Sequence, residues 1–413
     1  MKTKYQFLFS LSLMIFFSLQ SYSQETIKTM FYNLLNFSEA PPTDRSDILN
    51  SILASYDPDI FMVSELQTEA DMNLILNQSF EYTEQPVSAA PFVYNTSGFG
   101  GNINQLVFFK NEKMQLLETH QIQTNIRDIN HYKFQMNTID EEILHVFVAH
   151  FKASQGDSNV QERYSEAVNF VNYISELDAN ANIIFGGDFN FYSASEPGFL
   201  VIQYATLAID MLDPLNRIGE WHNNSNYQDV HSQSTRISNN DFGSFGAGGG
   251  LDDRFDFIFI SDNLKNQSND IRYIEDTYQA YGNNANCFND NINYVNCTGD
   301  FDQDLRNQLY NMSDHLPVVM SLETDSNFLK VKKYQIKNNV SLINGNLIDD
   351  IVDFKFNSSL LGEKAYIYNS LGQKISGFTI NNTFKSYDIS TYPNGIYMLK
   401  ITDLEGHIKI IKR

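Results

Sequence analysis

The sequence predicts an α/β protein, two packed mixed β-sheets flanked by helices in four layers, followed by a small all-β sandwich. Three observations carry this. Residues 24–323 alternate strand-like and helix-like segments, mixing long βα crossovers with direct ββ connections. After Glu323 only short strands remain, separated by turn signals at Leu371-Gly372 and Pro393-Asn394-Gly395. The charge changes at the same place: residues 24–325 hold 14 Lys/Arg against 43 Asp/Glu, and residues 326–413 hold 12 against 7. The expected organisation is a leader over 1–23, an α/β domain over 24–325 and a sandwich over 326–413.

The elements follow in order. Thr26–Leu35 and Asp59–Leu66 read as strands, with a helix over Asp44–Ser55 between them, capped by Thr43. Glu69–Asn77 reads as a helix. Gln105–Lys110, His131–Met136 and Ile143–His150 read as strands. Val160–Leu177 is the longest helix, with Val160, Tyr164, Ala167, Val168, Val171 and Ile174 on one face. Asn182–Asp188, Phe255–Ile260 and Val318–Leu322 complete the strand set. Gly243–Gly250, with five glycines in eight residues, reads as a flexible approach to the strand at Phe255. Ser261–Ser313 reads as an irregular Asn-rich insertion. In the tail, strands are expected at Ile351–Phe356, Ala365–Tyr368, Ser386–Ile389, Ile396–Ile401 and His407–Ile411.

Composition narrows function. With 42% hydrophobic and 19% charged residues, the 413-residue chain is globular rather than disordered or fibrous. A net charge of −22 gives no sequence-independent attraction for nucleic acid, so phosphate handling would call for bound divalent cations. The opening Met-Lys-Thr-Lys, the apolar run Phe7–Leu19 and Ser21-Tyr22-Ser23 read as a secretory signal peptide cleaved after Ser23. The run is shorter than the roughly 20 residues of a membrane span, so no integral span is expected in the mature chain. In an oxidising compartment Cys287 and Cys297 read as a disulfide closing a small loop, with two free thiols the other reading.

The chemistry sits at predicted strand ends: Asn33, Glu65, His150, Asp188 with Asn190, Asp256, and Asp314-His315. In α/β sheets ligands bind at that edge. Each residue alone has a structural reading as a turn, a cap or a satisfied histidine. Together they make a set of carboxylates, amides and imidazoles that suits a hard divalent cation and phosphate oxygens, with His as base.

The segments PDIFMVSEL, FGGDFN, RFDFIFIS and SDHLPV, in that order over residues 27–322, resemble the endonuclease/exonuclease/phosphatase superfamily, the deoxyribonuclease-I-like group. The resemblance implies that Asn33, Glu65 and Asp314 hold Mg²⁺ or Mn²⁺, with Ca²⁺ a further option. His315 would be the base that activates water, with Asp256 fixing its tautomer. Asp188 and Asn190 would face the water and the phosphate, and His150 a phosphate oxygen. Arg127, in IRDINHYKF, and Lys152, in HFKAS, would bind phosphate. Deoxyribonuclease-like members carry Tyr and Glu before the strand matching QLVFFK, the Glu partnering the residue that His150 matches. Here residues 100–104 read Gly-Gly-Asn-Ile-Asn, leaving Asn102 or Asn104 as stand-ins.

The tail segments YIYNSLGQKI, DISTYPNGIYMLKI and IKIIKR resemble the C-terminal sorting domain of type IX secretion in Bacteroidetes-type bacteria. That implies passage through both membranes with the secretion machinery as partner, and an extracellular or surface location. An adhesive or sugar-binding sandwich is the alternative. The expected activity is metal-dependent phosphodiester hydrolysis, with DNA or RNA the leading substrate. A sphingomyelin or inositol-lipid headgroup is second, its only candidate membrane wedge being Phe242–Phe245. A catalytically silent surface-binding protein is third.

Overall fold

The computed structural model describes residues 25–97, 101, 103–204, 209–266, 270–324, 334–343, 345–357, 360–401 and 404–413. Residues 1–23, read above as a signal peptide, and Asn102 lie outside them. The chain divides into two compact units, residues 1–328 and 329–413.

In the first unit, one sheet is built from β1 (Glu25–Phe37), β2 (Ile60–Leu66), β3 (Val87–Ala89), β4 (Asn104–Lys110), and, from late in the unit, β11 (Ile271–Tyr273), β12 (Gln279–Ala280) and β13 (Val318–Thr324). Its order is β11-β13-β1-β2-β4-β3, with β12 also on β13. The second sheet holds β5 (Met114–Ile122), β6 (Ile129–Met136), β7 (Ile143–His150), β8 (Asn182–Asp188), β9 (Met211–Leu212) and β10 (Asp256–Ser261), in the order β5-β6-β7-β8-β10-β9. Each sheet has one central parallel pair, β1 with β2 and β7 with β8.

Strand alternation sets the layers. On β7, β8 and β10, Val146, Val148, Ile184, Ile258 and Ile260 join the core shared with the first sheet. Their neighbours Phe147, Phe185, Phe257 and Phe259 point the other way, into a core with α3 (Asp157–Ile174) and α4 (Pro197–Tyr204). The Phe170 and Phe185 rings stack there at 3.9 Å. On the far side of the first sheet lie α1 (Arg45–Tyr56) and α6 (Gln303–Met312), whose Leu49, Ile52, Leu309 and Met312 are buried. Gly186 allows the two sheets to close: a Cβ there would meet the Met62 sulfur at 2.7 Å.

The structure corrects several readings. Asp44, not Thr43, caps α1, without a side-chain cap bond. The helix from Glu69, α2 (Glu69–Leu74), changes to a π-turn over Ile75–Ser79. The buried face of α3 is rotated from the apolar stripe, because Arg163 and Glu166 are buried beside Ala167, Phe170, Val171 and Ile174. Arg163 forms a two-pronged pair with Glu196, and Glu166 accepts the Lys152 N–H. Ser261–Ser313 is not irregular throughout. It begins with α5 (Asp262–Asn266), supplies β11 and β12 to the first sheet and ends in α6, capped by Asp302. Cys287 and Cys297 are joined, their Cα atoms 5.3 Å apart.

In the second unit, a three-stranded sheet containing Ile351–Phe356 and a five-stranded sheet containing Lys364–Asn369 and Gly395–Ile401 share one apolar core. Val352, Phe354, Ile367, Leu399 and Ile410 lie in it. A one-turn helix, Ile336–Asn339, precedes them. No helix among the described residues is long and apolar enough to cross a membrane.

One buried pair makes a testable contribution to stability. His131 Nε2 lies 2.9 Å from His145 Nδ1, and His131 Nδ1 lies 3.0 Å from the Tyr173 hydroxyl. Burial and the neighbouring imidazole push His131 down to about 3; burial and Lys133 push His145 down to about 4. Glu118 opposes both shifts. Both groups fold neutral and protonate near 6.5 when unfolded, so their stabilisation is complete above that pH and is lost as pH falls toward about 4 for His145 and about 3 for His131. Each should cost on the order of 2 kcal/mol by pH 5. Thermal melts of the H131F/H145L variant should show a shallower fall in Tm between pH 7 and 5 than the parent. Parallel falls would remove the pair from the account.

Candidate active site

Register brings the residues together. His150 pairs with Asp188 across β7 and β8, and Asp188 with Asp256 across β8 and β10, so three chemical groups stand abreast on neighbouring strands. Across the interior, Asn33 stands opposite Ser64, next to Glu65. The backbone leaves these strand ends in the left-handed region at Leu35 (φ 46°), Asn36 (45°), Glu65 (58°) and Asn190 (52°). Non-glycine residues adopt that conformation at a cost. Here it aims side chains inward: the Asn36 N–H reaches Glu65 Oε2 at 3.0 Å, and the Asn190 amide reaches Asp188 Oδ1 at 2.9 Å.

Asp256 Oδ2 accepts from His315 Nδ1 at 2.8 Å and from the Ser232 hydroxyl at 2.6 Å. This fixes the tautomer and turns Nε2 into the site. There Nε2 faces Asp188 Oδ2 at 3.6 Å, the Asn33 amide at 3.4 Å and the Gln233 amide at 2.6 Å. Asn33 donates to Glu65 Oε1 and Asp188 Oδ2, both at 3.0 Å. His150 Nε2 lies 3.4 Å from Asp188 Oδ2, and its Nδ1 lies 3.9 Å from Glu65 Oε1. Asp314 Oδ2 accepts from the Ala247 N–H at 2.7 Å and from Gln233 at 2.9 Å. The glycine-rich segment is therefore a fitted wall rather than a loose approach. Gly246 has φ 77°, and a Cβ there would lie 2.7 Å from the Asp314 carboxyl carbon.

The site is short of positive charge. Burial and then Asp314 raise Glu65. Burial, Asp256 and Glu65 push Asp188 up to about 7 against the pull of His315. Burial alone would lower His315, but Asp256, Asp314 and Asp188 outweigh it and hold the imidazole well above its ordinary range. His150, buried beside Arg127, is pushed well below its ordinary value and stays neutral.

A divalent cation would relieve this field. Glu65, His150 and Asp188 offer ligand atoms within 4.8 Å of one another, and Asp314 Oδ1 and His150 Nδ1 are buried without hydrogen-bond partners among the described residues. The donors fit a hard cation. Asn33, as placed, turns its NH₂ toward the carboxylates and its Oδ1 to the Leu35 N–H, so it acts as a clamp between Glu65 and Asp188.

Other predicted residues are placed differently. Asn104 does not stand in for a partner of His150. Its amide donates to the Leu66 and Gln67 carbonyls, and its Oδ1 accepts the Asn95 N–H. Arg127 braces the end of β7 from Nε to the His150 carbonyl and from Nη2 to the Phe151 carbonyl, leaving Nη1 without a partner among the described residues. Lys152 Nζ turns to the Ala153 carbonyl. Gln233, which touches both Asp314 and His315, escaped the sequence reading; HSQST carries no spacing signal for it.

Comparisons with known proteins bear on the fold and the family. No curated protein sequence matches the chain. Among solved structures, D. rerio TDP2 complexed with a single-strand DNA product is 15% identical, covers 72% of this chain and 99% of its own, with TM-score 0.48. The human Nocturnin catalytic domain is 14% identical over 72% and 94%, TM-score 0.44. The mannosyl-6-phosphatase of Bacteroides thetaiotaomicron is 15% identical over 72% and 99%, TM-score 0.44. Residues 346–413 match the secretion system C-terminal sorting domain, of the type IX kind, so the chain is secreted or held at the cell surface. Residues 30–315 match the Endonuclease/Exonuclease/phosphatase family model, a span that takes in every strand end of the site, and the chain belongs to that family.

Proposed function

We propose that the chain is a secreted, divalent-metal-dependent phosphodiesterase whose leading substrate is extracellular DNA or RNA, exported by the type IX machinery of a Bacteroidetes-type bacterium. The observation that carries this is the His315–Asp256 pair at 2.8 Å, turned toward Asp188 amid carboxylates of unrelieved charge. His315 Nε2 would take the proton of the attacking water, and Asp256 would hold the Nδ1–H and stabilise the imidazolium. Asp188 and Asn190 would orient that water. Neutral His150 and Arg127 Nη1 would face the phosphate oxygens as charge develops. Glu65 and Asp314 would hold the cation, with Asn33 clamping Glu65 in place, and the cation when bound supplies charge neutralisation and polarisation of the phosphoryl group. The negative field that keeps His315 charged is the field a cation offsets, which supports metal dependence of the base itself.

Two observations weigh on substrate. Phe242 is buried under Arg236, 3.4 Å from the guanidinium carbon, so it is not free to wedge into a bilayer. Of the candidate loop Phe242–Phe245, only half-buried Phe245 is left to the lipid reading. Buried Arg45, Arg163, Arg236 and Arg254 donate to backbone carbonyls or paired carboxylates. Spent on these internal partners, they are not available to grip a polyanion, which makes short phosphodiesters the second reading beside nucleic acid. The test offers plasmid DNA, RNA, dinucleotides and sphingomyelin to the purified protein with Mg²⁺ or Mn²⁺. Hydrolysis of any nucleic acid or dinucleotide supports the proposal. Hydrolysis of sphingomyelin alone, or of nothing by folded protein, refutes it.

A further inference from the structure

A second His–Asp pair stands on the rim of the site. His222 Nδ1 lies 2.6 Å from Asp253 Oδ1, the same ring atom that His315 gives to Asp256. His222 Nε2 lies 3.1 Å from the Gln155 amide nitrogen, and the His222 ring meets the Tyr192 ring edge-on at 5.1 Å. Three of the four residues adjoin strands that also carry the chemistry, and His222 precedes Gln233 in the segment between β9 and β10. Gln155 follows His150 off β7, Tyr192 follows Asn190 off β8, and Asp253 precedes Asp256 on β10.

The group is held in place. Buried Trp221 donates from Nε1 to the Phe191 carbonyl at 2.7 Å, tying the residue before His222 to the residue before Tyr192. Asp253 exchanges backbone hydrogen bonds with Gln233, from its N–H at 2.8 Å and to its carbonyl at 3.0 Å. Gln233 is the residue whose side chain touches Asp314 and His315. Yet the pair is not sealed: the His222 side chain is 40% exposed. Asp253 Oδ2 and the Tyr192 hydroxyl have no hydrogen-bond partner among the described residues. A single contact with a half-exposed imidazole adds little to stability, so fold stability does not account for the arrangement.

We infer that His222, Asp253, Tyr192 and Gln155 form a subsite for the hydroxyl groups of a sugar or polyol esterified to the phosphate. A carboxylate oxygen, an imidazole, a phenol and an amide offer both acceptors and donors at close quarters, the complement of neighbouring hydroxyls. A second phosphate fits less well, since Asp252 and Asp253 would repel it. The inference rests on the phosphodiesterase reading and adds what lies beside the phosphate. Ribose of a nucleotide and a cyclic polyol present the same chemistry.

The experiment measures kcat/KM of the full protein on a ribodinucleotide, on glycerophosphoinositol and on bis-p-nitrophenyl phosphate, which has no hydroxyls. The same is done for His222→Ala, Asp253→Asn and Tyr192→Phe, each checked for folding by its melt. The ratio of kcat/KM on a hydroxylated substrate to that on the aryl ester should fall about ten- to a hundredfold in His222→Ala and Asp253→Asn. It should fall less in Tyr192→Phe. A fall confined to the dinucleotide identifies ribose; one confined to glycerophosphoinositol identifies the polyol. Unchanged ratios in folded, active variants overturn the subsite while leaving the phosphodiesterase reading intact. A parent inactive on all three substrates overturns that reading, and the subsite with it.

Discussion

Replacing His315 by alanine should lower kcat by about 10³-fold, with KM changed little, because in the proposed reaction it acts as a base on water rather than on the bound substrate. The environment explains the size. Nε2 is aimed into the site by the Asp256 contact at 2.8 Å, and Asp256 is itself held by the Ser232 hydroxyl at 2.6 Å. No other imidazole takes over: His150 is turned to Asp188 from the opposite strand. Asp256→Asn should act in the same direction, since an amide in that position favours the wrong tautomer. Steady-state kinetics on bis-p-nitrophenyl phosphate, with circular dichroism to show that the variants fold, measures both. A His315→Ala enzyme within threefold of the parent would remove this residue from the chemistry.

The second large effect belongs to Glu65. Its carboxylate accepts from the Asn33 amide and the Asn36 N–H, and lies 3.9 Å from His150 Nδ1. It is the group best placed to hold a cation, and burial beside Asp314 leaves its charge poorly relieved. Mn²⁺ should therefore raise the melting temperature of the parent by mass action. Glu65→Gln should lose most of that rise and lower activity by at least about 10²-fold. The amide is nearly isosteric but keeps only one acceptor oxygen, so it gives up the bond from either Asn33 or Asn36 while removing a buried charge, and its own melt without metal should stay close to that of the parent. An undiminished Mn²⁺ shift in Glu65→Gln would place the cation elsewhere.

Much of the site was legible because its residues end continuous apolar strands. Ile143–His150 and Asn182–Asp188 have the predicted bounds, and a polar residue closing such a run stands out. What stayed hidden has physical causes. β5 (MQLLETHQI) is an edge strand, mostly exposed along its middle, and shows no clean alternation. The α3 face was misread because periodicity counts only apolar residues, whereas Arg163 and Glu166 go inside with partners supplied by distant loops. β11 and β12 are too short to signal, and α6 carries its apolar face on few residues. Gln233 and His222 sit in long loops, where chain path and not local pattern decides what a side chain meets.

The account turns on whether this cluster hydrolyses a phosphodiester only with a cation in place. The most direct measurement strips the protein with chelator and follows bis-p-nitrophenyl phosphate turnover as Mg²⁺ or Mn²⁺ is added back. No turnover in chelator, and saturable recovery on metal addition that is absent in His315→Ala, is the predicted result. Undiminished turnover in chelator, or none at any metal concentration by folded protein, would contradict it.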